Sequence, residues 1–515
     1  MTDRKEFLTT AVILFAFLAL AAGFVFFTDR ILDPDQLYHF RHASLYKEGG
    51  LSMAAFPWTQ FSVWKIYSAD IWYGFHILLI PFTYLSNEFL GMKLATIFLA
   101  AGFLSVFYFI LKRHRIAHPF FWTILLYFSA ADFLFRLNML RPQILSFALL
   151  PLILSFFIRG RWWPVFAVSA LLAFFHLSFF WAAILIGAVA AVWIFIFEKR
   201  IEWQKLLAAA GGLILGWLLR PNPIGALKIL WVQLFELILE KQRGVQLLFG
   251  EEILPLDWVG IKFQLIPALV IWLAVIAILV WTAREGKLKH ADNSVKVILG
   301  ASFSLSLVFL ILAFVIGRRA TDLWGIYSIL FAAQFFSWWL LCKSRNWVWL
   351  GLVTFLIVMI ARHSYTFNLY TQASNTYAPD HLKEVSLWLR ENSRPGEIVF
   401  HTAWDSFPPL FFWNQKNYYI NSADPIFQYA FNKELYWKNH FIALSGKPYT
   451  CGSPICLPET SEDLYTVLSR DFSASYIVVE LDRNSGLNQN LSEDSRFKKV
   501  FQTEKEVVYS LTANK

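Results

Sequence analysis

Residues 32 to 42, LDPDQLYHFRH, bring carboxylates, imidazoles and a guanidinium together within a few helical turns, directly after an apolar run. Asp33 before Pro34, with Gln36 three positions on, has the form of a helix start: a carboxylate N-cap, proline at the first helical position and a capping-box partner. From that start Asp35, His39 and His42 fall at i, i+4 and i+7, so one carboxylate and two imidazoles share a face. Such a face can bind a metal or manage a proton. Asp33 and Asp35 are the candidate catalytic carboxylates, with a capping role also open to Asp33, and Asp35 and His39 are the candidate metal ligands.

A second set of residues offers charge instead of proton chemistry. Arg136, Arg141, Arg220, Arg318, Arg319 and Arg362 lie at the ends of apolar windows, on the side that the loop charges assign to the outside. Positive charge there runs against the positive-inside tendency and asks for an anion. Guanidinium forks suit phosphate oxygens, so a lipid phosphate or pyrophosphate above the outer leaflet accounts for several of them. Snorkelling to ordinary headgroups accounts for any single one equally well. Asp132, four residues before Arg136, has the spacing of an ion pair. His76, His176 and His363 fall near the same ends, where a lone histidine is more often a satisfied interfacial residue than a ligand. No HExxH, GxSxG, Walker or dinucleotide motif is present, which removes several common enzyme classes.

These residues need a membrane to position them. Of the 515 residues 57% are hydrophobic and 18% aromatic, the composition of a multi-span membrane protein. The net charge of +9 is scattered between apolar runs and is not gathered as a nucleic-acid surface. Apolar windows at 8–27, 93–111, 119–134, 143–158, 164–178, 179–197, 206–219, 264–283, 295–316, 323–342 and 346–361 give about eleven spans. The first continues through FVFF beyond LALAAG and reads as an uncleaved anchor. Basic loops follow alternate windows: KRHR at 112–115, RGR at 159–161, EKR at 198–200, REGKLK at 284–289 and CKSR at 342–345. This pattern puts the N-terminus in the cytoplasm.

Residues 71–86 are apolar enough to tempt one into another span, but counting them would invert every later loop. They belong, with a helix over 33–47, to a long outer loop at 28–92, lying on or dipping into the interface. A second outer loop, 220–263, begins as another interfacial helix. From residue 363 to 515 the pattern is helix (380–392), strand (397–402), short helix, strand (417–421), helix, cysteine loop, helix (461–470) and strand (475–481). That alternation predicts a small outer α/β layer domain. Cys451 and Cys456, in CGSPIC, are placed for one short-loop disulfide on an oxidising side.

The stretch D-Q-L-Y-H-F-R at 35–41 resembles the D-P-x-x-H/N-x-R signature in the first outer loop of oligosaccharyltransferase catalytic subunits. Those subunits are members of the GT-C superfamily of polyprenyl-phosphate-sugar-dependent glycosyltransferases. The spacing from Asp35 to Arg41 matches, and the resemblance implies that Asp35 binds a divalent metal or the acceptor and that Arg41 joins the donor-phosphate set. In the C-terminal region VFHTAWDSFPPLFFWNQKNYYINSADP at 399–425 resembles the strand with the W-W-D-Y-G acceptor motif, which implies acceptor binding by Trp404 and Asp405. Ala403 stands for the first tryptophan, and Ser406 and Phe407 for the Tyr-Gly pair, a departure from a peptide-acceptor site. FRLNMLRPQ at 135–143 offers arginines where the family places another acidic ligand. Both Mn2+ or Mg2+ at Asp35 and a metal-independent mechanism, as in the lipid A aminoarabinose and protein mannosyl branches, therefore stay open.

The expected fold is an α-helical polytopic membrane protein of GT-C-like plan, with residues 1–362 as the membrane module and 363–515 as an extracytoplasmic α/β domain. The expected function is an integral-membrane glycosyltransferase that moves a sugar from a polyprenyl phosphate or pyrophosphate carrier to an extracytoplasmic protein, lipid or glycan. Asp35 would act as base or metal ligand, and the outer arginines would stabilise the leaving phosphate. Its partners are the lipid-linked donor and membrane lipids, and undecaprenyl-type carriers make the bacterial inner membrane its location. The competing class, a transporter or lipid flippase, predicts mid-span charges and repeated halves. Here the charges gather at outer span ends and no internal repeat is evident.

Overall fold

The computed structural model describes residues 2–511 except 54, 246, 249, 262–264, 343–345, 374–375 and 423, so most of the basic CKSR loop lies outside the described residues. It divides into two compact units. One is helical, residues 1–32, 72–220 and 250–376; the other bears the sheets, residues 33–71, 221–249 and 377–515.

In the helical unit every apolar window of the sequence falls on a helix, because an apolar run in lipid can satisfy its backbone only within itself. Among the described residues 7 helices are long and apolar enough to cross a membrane, or 9 if each of two bent helix pairs is one span. Two further apolar helices, Gln143–Ile158 and Trp162–Phe175, are shorter. The chain is thus a multi-pass membrane protein. Residues 71–86 form only Tyr73–Leu79 and the 3-10 turn Ile80–Tyr84, of 7 and 5 residues, far short of the roughly 20 that a spanning helix needs.

Two glycines let helices Trp162–Phe175 and Trp203–Leu218 meet backbone to backbone. A Cβ at Gly212 would lie 2.2 Å from Phe166 O, and one at Gly216 would lie 2.1 Å from Ala170 O. Glycines four apart are the usual device where lipid removes the hydrophobic drive for helix association. A second local feature positions charge: helices Pro119–Tyr127 and Ala131–Leu137 meet at 94°. Ala130 is extended (φ −150, ψ 150), so a new helix starts there with Asp132 in its first turn and Arg136 in its last.

The sheet-bearing unit holds strands β1 (Ile398–His401), β2 (Tyr418–Tyr419), β3 (Tyr449–Thr450), β4 (Glu462–Asp463), β5 (Ala474–Glu480), β6 (Phe497–Gln502) and β7 (Glu506–Leu511). The main sheet runs β2-β1-β5-β7-β6. β1 pairs parallel with β2 and β5, and β7 pairs antiparallel with β5 and β6. Phe400, Ile477, Val479 and Val507 enter a core closed by Leu464, Leu468, Phe472 and Leu487. Residues 58–60 extend this sheet: Tyr419 N–H donates to Trp58 O at 2.7 Å and Gln60 N–H to Tyr419 O at 2.8 Å. The expected elements appear as helix Lys383–Asn392, β1, β2 and β5, while the 461–470 helix is shortened by β4 and starts at Leu464. Helix Ser485–Glu493 and the β6-β7 hairpin lie beyond the expected pattern. Cys451 and Cys456 form the disulfide, with Cα atoms 5.3 Å apart.

Candidate active site

In the sheet-bearing unit the N-cap of helix Asp35–Gly49 is Pro34, with no side-chain cap, and Asp33 anchors the turn from one residue earlier. Its Oδ1 accepts the Asp35 N–H at 3.0 Å, and its carbonyl accepts the Gln36 N–H at 3.2 Å. The helix runs Asp35–Gly49, one residue later than a first-turn proline implies, and Gln36 does not close a capping box. Asp35 is left as the first helical carboxylate, where the helix dipole favours its charge.

His42, Tyr38 and Tyr46 form one face of this helix. Tyr38 OH lies 2.9 Å from His42 Nδ1, His42 Nε2 lies 4.0 Å from Asp70 Oδ2, and Tyr46 OH donates to the same Asp70 oxygen at 3.0 Å. Burial, then the charges of Asp70 and Asp35, push the Tyr38 phenol well above its usual range. Where the neutral phenol donates to Nδ1, the ring proton stands on Nε2, facing Asp70. His39 is buried beside the Tyr38 ring, 5.1 Å between centroids. The Arg41 guanidinium stands 4.8 Å from the centroid of the Phe412 ring, a cation–π arrangement. Among the described residues neither Asp35 nor His39 belongs to a group of three or more metal-ligating side chains.

The helical unit gathers Arg136, Arg141, Arg318 and Arg319 and leaves Arg220 elsewhere. Arg136 donates to Asp322 Oδ2 at 2.7 Å and lies 3.9 Å from both Asp132 and Glu252. The expected i+4 pair therefore exists, but Asp322 is the nearer partner. Arg141 lies 3.5 Å from Glu252 Oε1, which Arg319 Nη2 also reaches. Arg318 pairs with Asp257 at 3.4 Å. Burial pulls the Arg141 pKa down to about 10; the Glu252 charge opposes that and the neighbouring Arg319 adds to it. For Glu252 burial acts to raise the pKa, yet Arg319, Arg141 and Arg136 outweigh it and hold the carboxyl well below its usual range. Arg220, by contrast, donates to the carbonyls of Trp217 and Ala173, the ends of two helices.

Trp404 and Asp405 sit in a 3-10 turn directly after β1. Asp405 Oδ2 accepts from Tyr377 OH at 2.5 Å and from Arg483 Nη2 at 3.0 Å. Ser406 donates to Glu480 Oε1 at 2.5 Å, and Thr402 to Asn484 Oδ1 at 2.5 Å. Polar side chains thus collect where β1 and β5 end, the place where parallel sheets whose strand order reverses offer a crevice. Burial, then Asp405, push the Tyr377 phenol above its usual range, so it remains a donor.

His176 and His363 are satisfied by hydrogen bonds, as lone histidines near span ends usually are. His176 Nδ1 lies 2.8 Å from Ser146 Oγ, and His363 Nδ1 lies 2.7 Å from Phe128 O. Asp70, Glu252 and Asp322 carry the networks just described, and the sequence reading passed over them. Asp322 had a signal, standing just after the Arg318 and Arg319 pair; Glu252 and Asp70 sit in loops with no periodicity to mark them.

No family model and no curated protein matches the sequence. Solved structures do. ArnT from Cupriavidus metallidurans in the apo state matches with a TM-score of 0.55 at 11% identity, over 98% of each chain. The same protein bound to undecaprenyl phosphate matches with a TM-score of 0.53 at 10% identity, over 99% of this chain and 98% of that one. The chain shares the fold of that protein. The likeness covers both the helices and the C-terminal sheet region.

Proposed function

We propose that this protein is a membrane glycosyltransferase that takes a sugar from a polyprenyl-phosphate-type carrier and transfers it to an acceptor outside the cytoplasm. The observation that carries the reading is the convergence of Arg136, Arg141 and Arg319 on one anionic group in a chain of this fold. A similarly folded protein bound to undecaprenyl phosphate supports a carrier of that class.

In this reading an acceptor hydroxyl attacks the anomeric carbon, the new C–O bond forms as the sugar–phosphate C–O bond breaks, and the configuration inverts. Asp35 takes the hydroxyl proton; Asp33 fixes its turn. The leaving group departs as the carrier phosphate, whose charge Arg136, Arg141, Arg318 and Arg319 stabilise. Arg41 and Arg220 are weaker candidates for that role, since Arg41 covers Phe412 and Arg220 caps helix ends. Trp404 and Asp405 bear on the acceptor, and Mn2+ or Mg2+ at Asp35 would add charge at the site. The cell location is the bacterial inner membrane, N-terminus inside and residues 363–515 outside.

Purified protein with radiolabelled polyprenyl-phosphate sugars tests the reading: sugar leaves the carrier in wild type and not in Asp35→Asn. Failure of wild type to bind polyprenyl phosphate would refute it.

A further inference from the structure

Four guanidinium groups, Arg136, Arg141, Arg318 and Arg319, meet four carboxylates, Asp132, Glu252, Asp257 and Asp322, so the cluster has no net charge left for a phosphate. The carboxylates are held differently. Asp132 and Asp322 lie in the first turns of helices, where the dipole stabilises them, and Asp322 is bonded to Arg136 at 2.7 Å. Asp257 pairs with Arg318 at 3.4 Å and is spent as an N-cap, accepting the Gly260 N–H at 2.7 Å.

Glu252 reaches three of the arginines, and it does so from the 3-residue 3-10 turn Glu251–Ile253. That turn is laid against the segment that carries two of the arginines: Arg319 N–H donates to Glu252 O at 3.1 Å and Arg318 N–H to Leu254 O at 2.8 Å. Its side chain is 27% exposed, against 4% for Asp322. A carboxylate offers guanidinium forks the same paired oxygens that a phosphate does.

We infer that Glu252 is a built-in stand-in for the donor phosphate: its carboxylate occupies the Arg136, Arg141 and Arg319 cradle until the carrier's phosphate displaces it, and so sets donor affinity. This inference rests on the proposed function, since it takes the arginine cluster as the donor-phosphate site. A purely structural Glu252 would behave oppositely, because removing it would loosen the arginines and weaken whatever they bind.

The test titrates polyprenyl phosphate into the full-length protein in detergent, with inorganic phosphate as a second probe and thermal unfolding as a check on folding. In Glu252→Gln the competing charge is gone, and polyprenyl phosphate should bind on the order of tenfold tighter, the gain expected from one charge-assisted contact no longer contested. Glu252→Asp keeps the charge that holds the arginines in place but withdraws it by one methylene; it should fold even where the glutamine variant does not and bind severalfold tighter than wild type. Inorganic phosphate should follow the same order. If wild type binds polyprenyl phosphate and the folded Glu252 variants bind it no tighter, the inference is overturned and the proposed function stands. If neither wild type nor the variants bind it, both fall.

Discussion

Arg319→Ala separates binding from folding better than any other substitution in the cluster. The side chain is 44% exposed and pairs with Glu252, so its contribution to stability is that of a surface pair, about 0–1 kcal/mol. Its backbone N–H to Glu252 O survives in alanine, which leaves the turn anchored. For the donor the loss is larger: one charge-assisted hydrogen bond is worth about 1.5–3 kcal/mol, which corresponds to roughly 10-fold to 150-fold in Kd. Arg136 could not serve, since it is 5% exposed and bonded to Asp322 at 2.7 Å. Removing it would strand a buried carboxylate at about 3–5 kcal/mol and confuse unfolding with lost affinity. The assay is titration of polyprenyl phosphate with thermal unfolding in parallel. The expected outcome is a Kd at least about tenfold weaker with the unfolding midpoint nearly unmoved. A folded variant that binds within twofold of wild type would refute the assignment of the cluster to the donor phosphate.

Four further outcomes are expected. Asp35→Asn should abolish transfer with folded protein intact, while Asp33→Asn should keep most of it, because the asparagine oxygen can still accept the Asp35 N–H; equal loss in both would remove Asp35 as the base. Asp405→Ala should raise the acceptor Michaelis constant and also lower thermal stability, since Tyr377 and Arg483 lose a shared partner, whereas Trp404→Ala should raise it alone; wild-type acceptor kinetics in both would detach this turn from the acceptor. Gly216→Leu should prevent accumulation of folded protein, because Ala170 O stands 2.1 Å from the would-be Cβ, and normal yield would show that the helix pair is looser than described. Cysteines placed at residues 60 and 430 should react with a membrane-impermeant reagent in intact cells, and protection of either while an outer control reacts would reverse the topology.

The helices were legible because lipid leaves the backbone no alternative, so an apolar run becomes a helix whatever its neighbours are. Residues 71–86, set aside on the charges of the later loops, form only short helical pieces of 7 and 5 residues. The Asp33 turn was legible for a similar reason, since Pro34 and a flanking carboxylate fix it locally. What escaped were pairings that no regular periodicity marks. The β6-β7 hairpin is interrupted where its register shifts between Lys499 and Phe501, which breaks the alternation that would announce a strand. Arg136 announced its neighbour Asp132 at i+4, yet its 2.7 Å partner is Asp322, 186 positions away, and nothing in a periodicity reports that distance. Glu252 is the extreme case: a carboxylate in a short turn acquires meaning only when three arginines from two other segments close on it. The sequence could therefore say that the arginines ask for an anion, while only the fold could show that the chain already supplies one. An enzyme that must release its spent carrier as well as capture a loaded one gains from this, since an internal anion able to refill the cradle lowers the cost of leaving it empty.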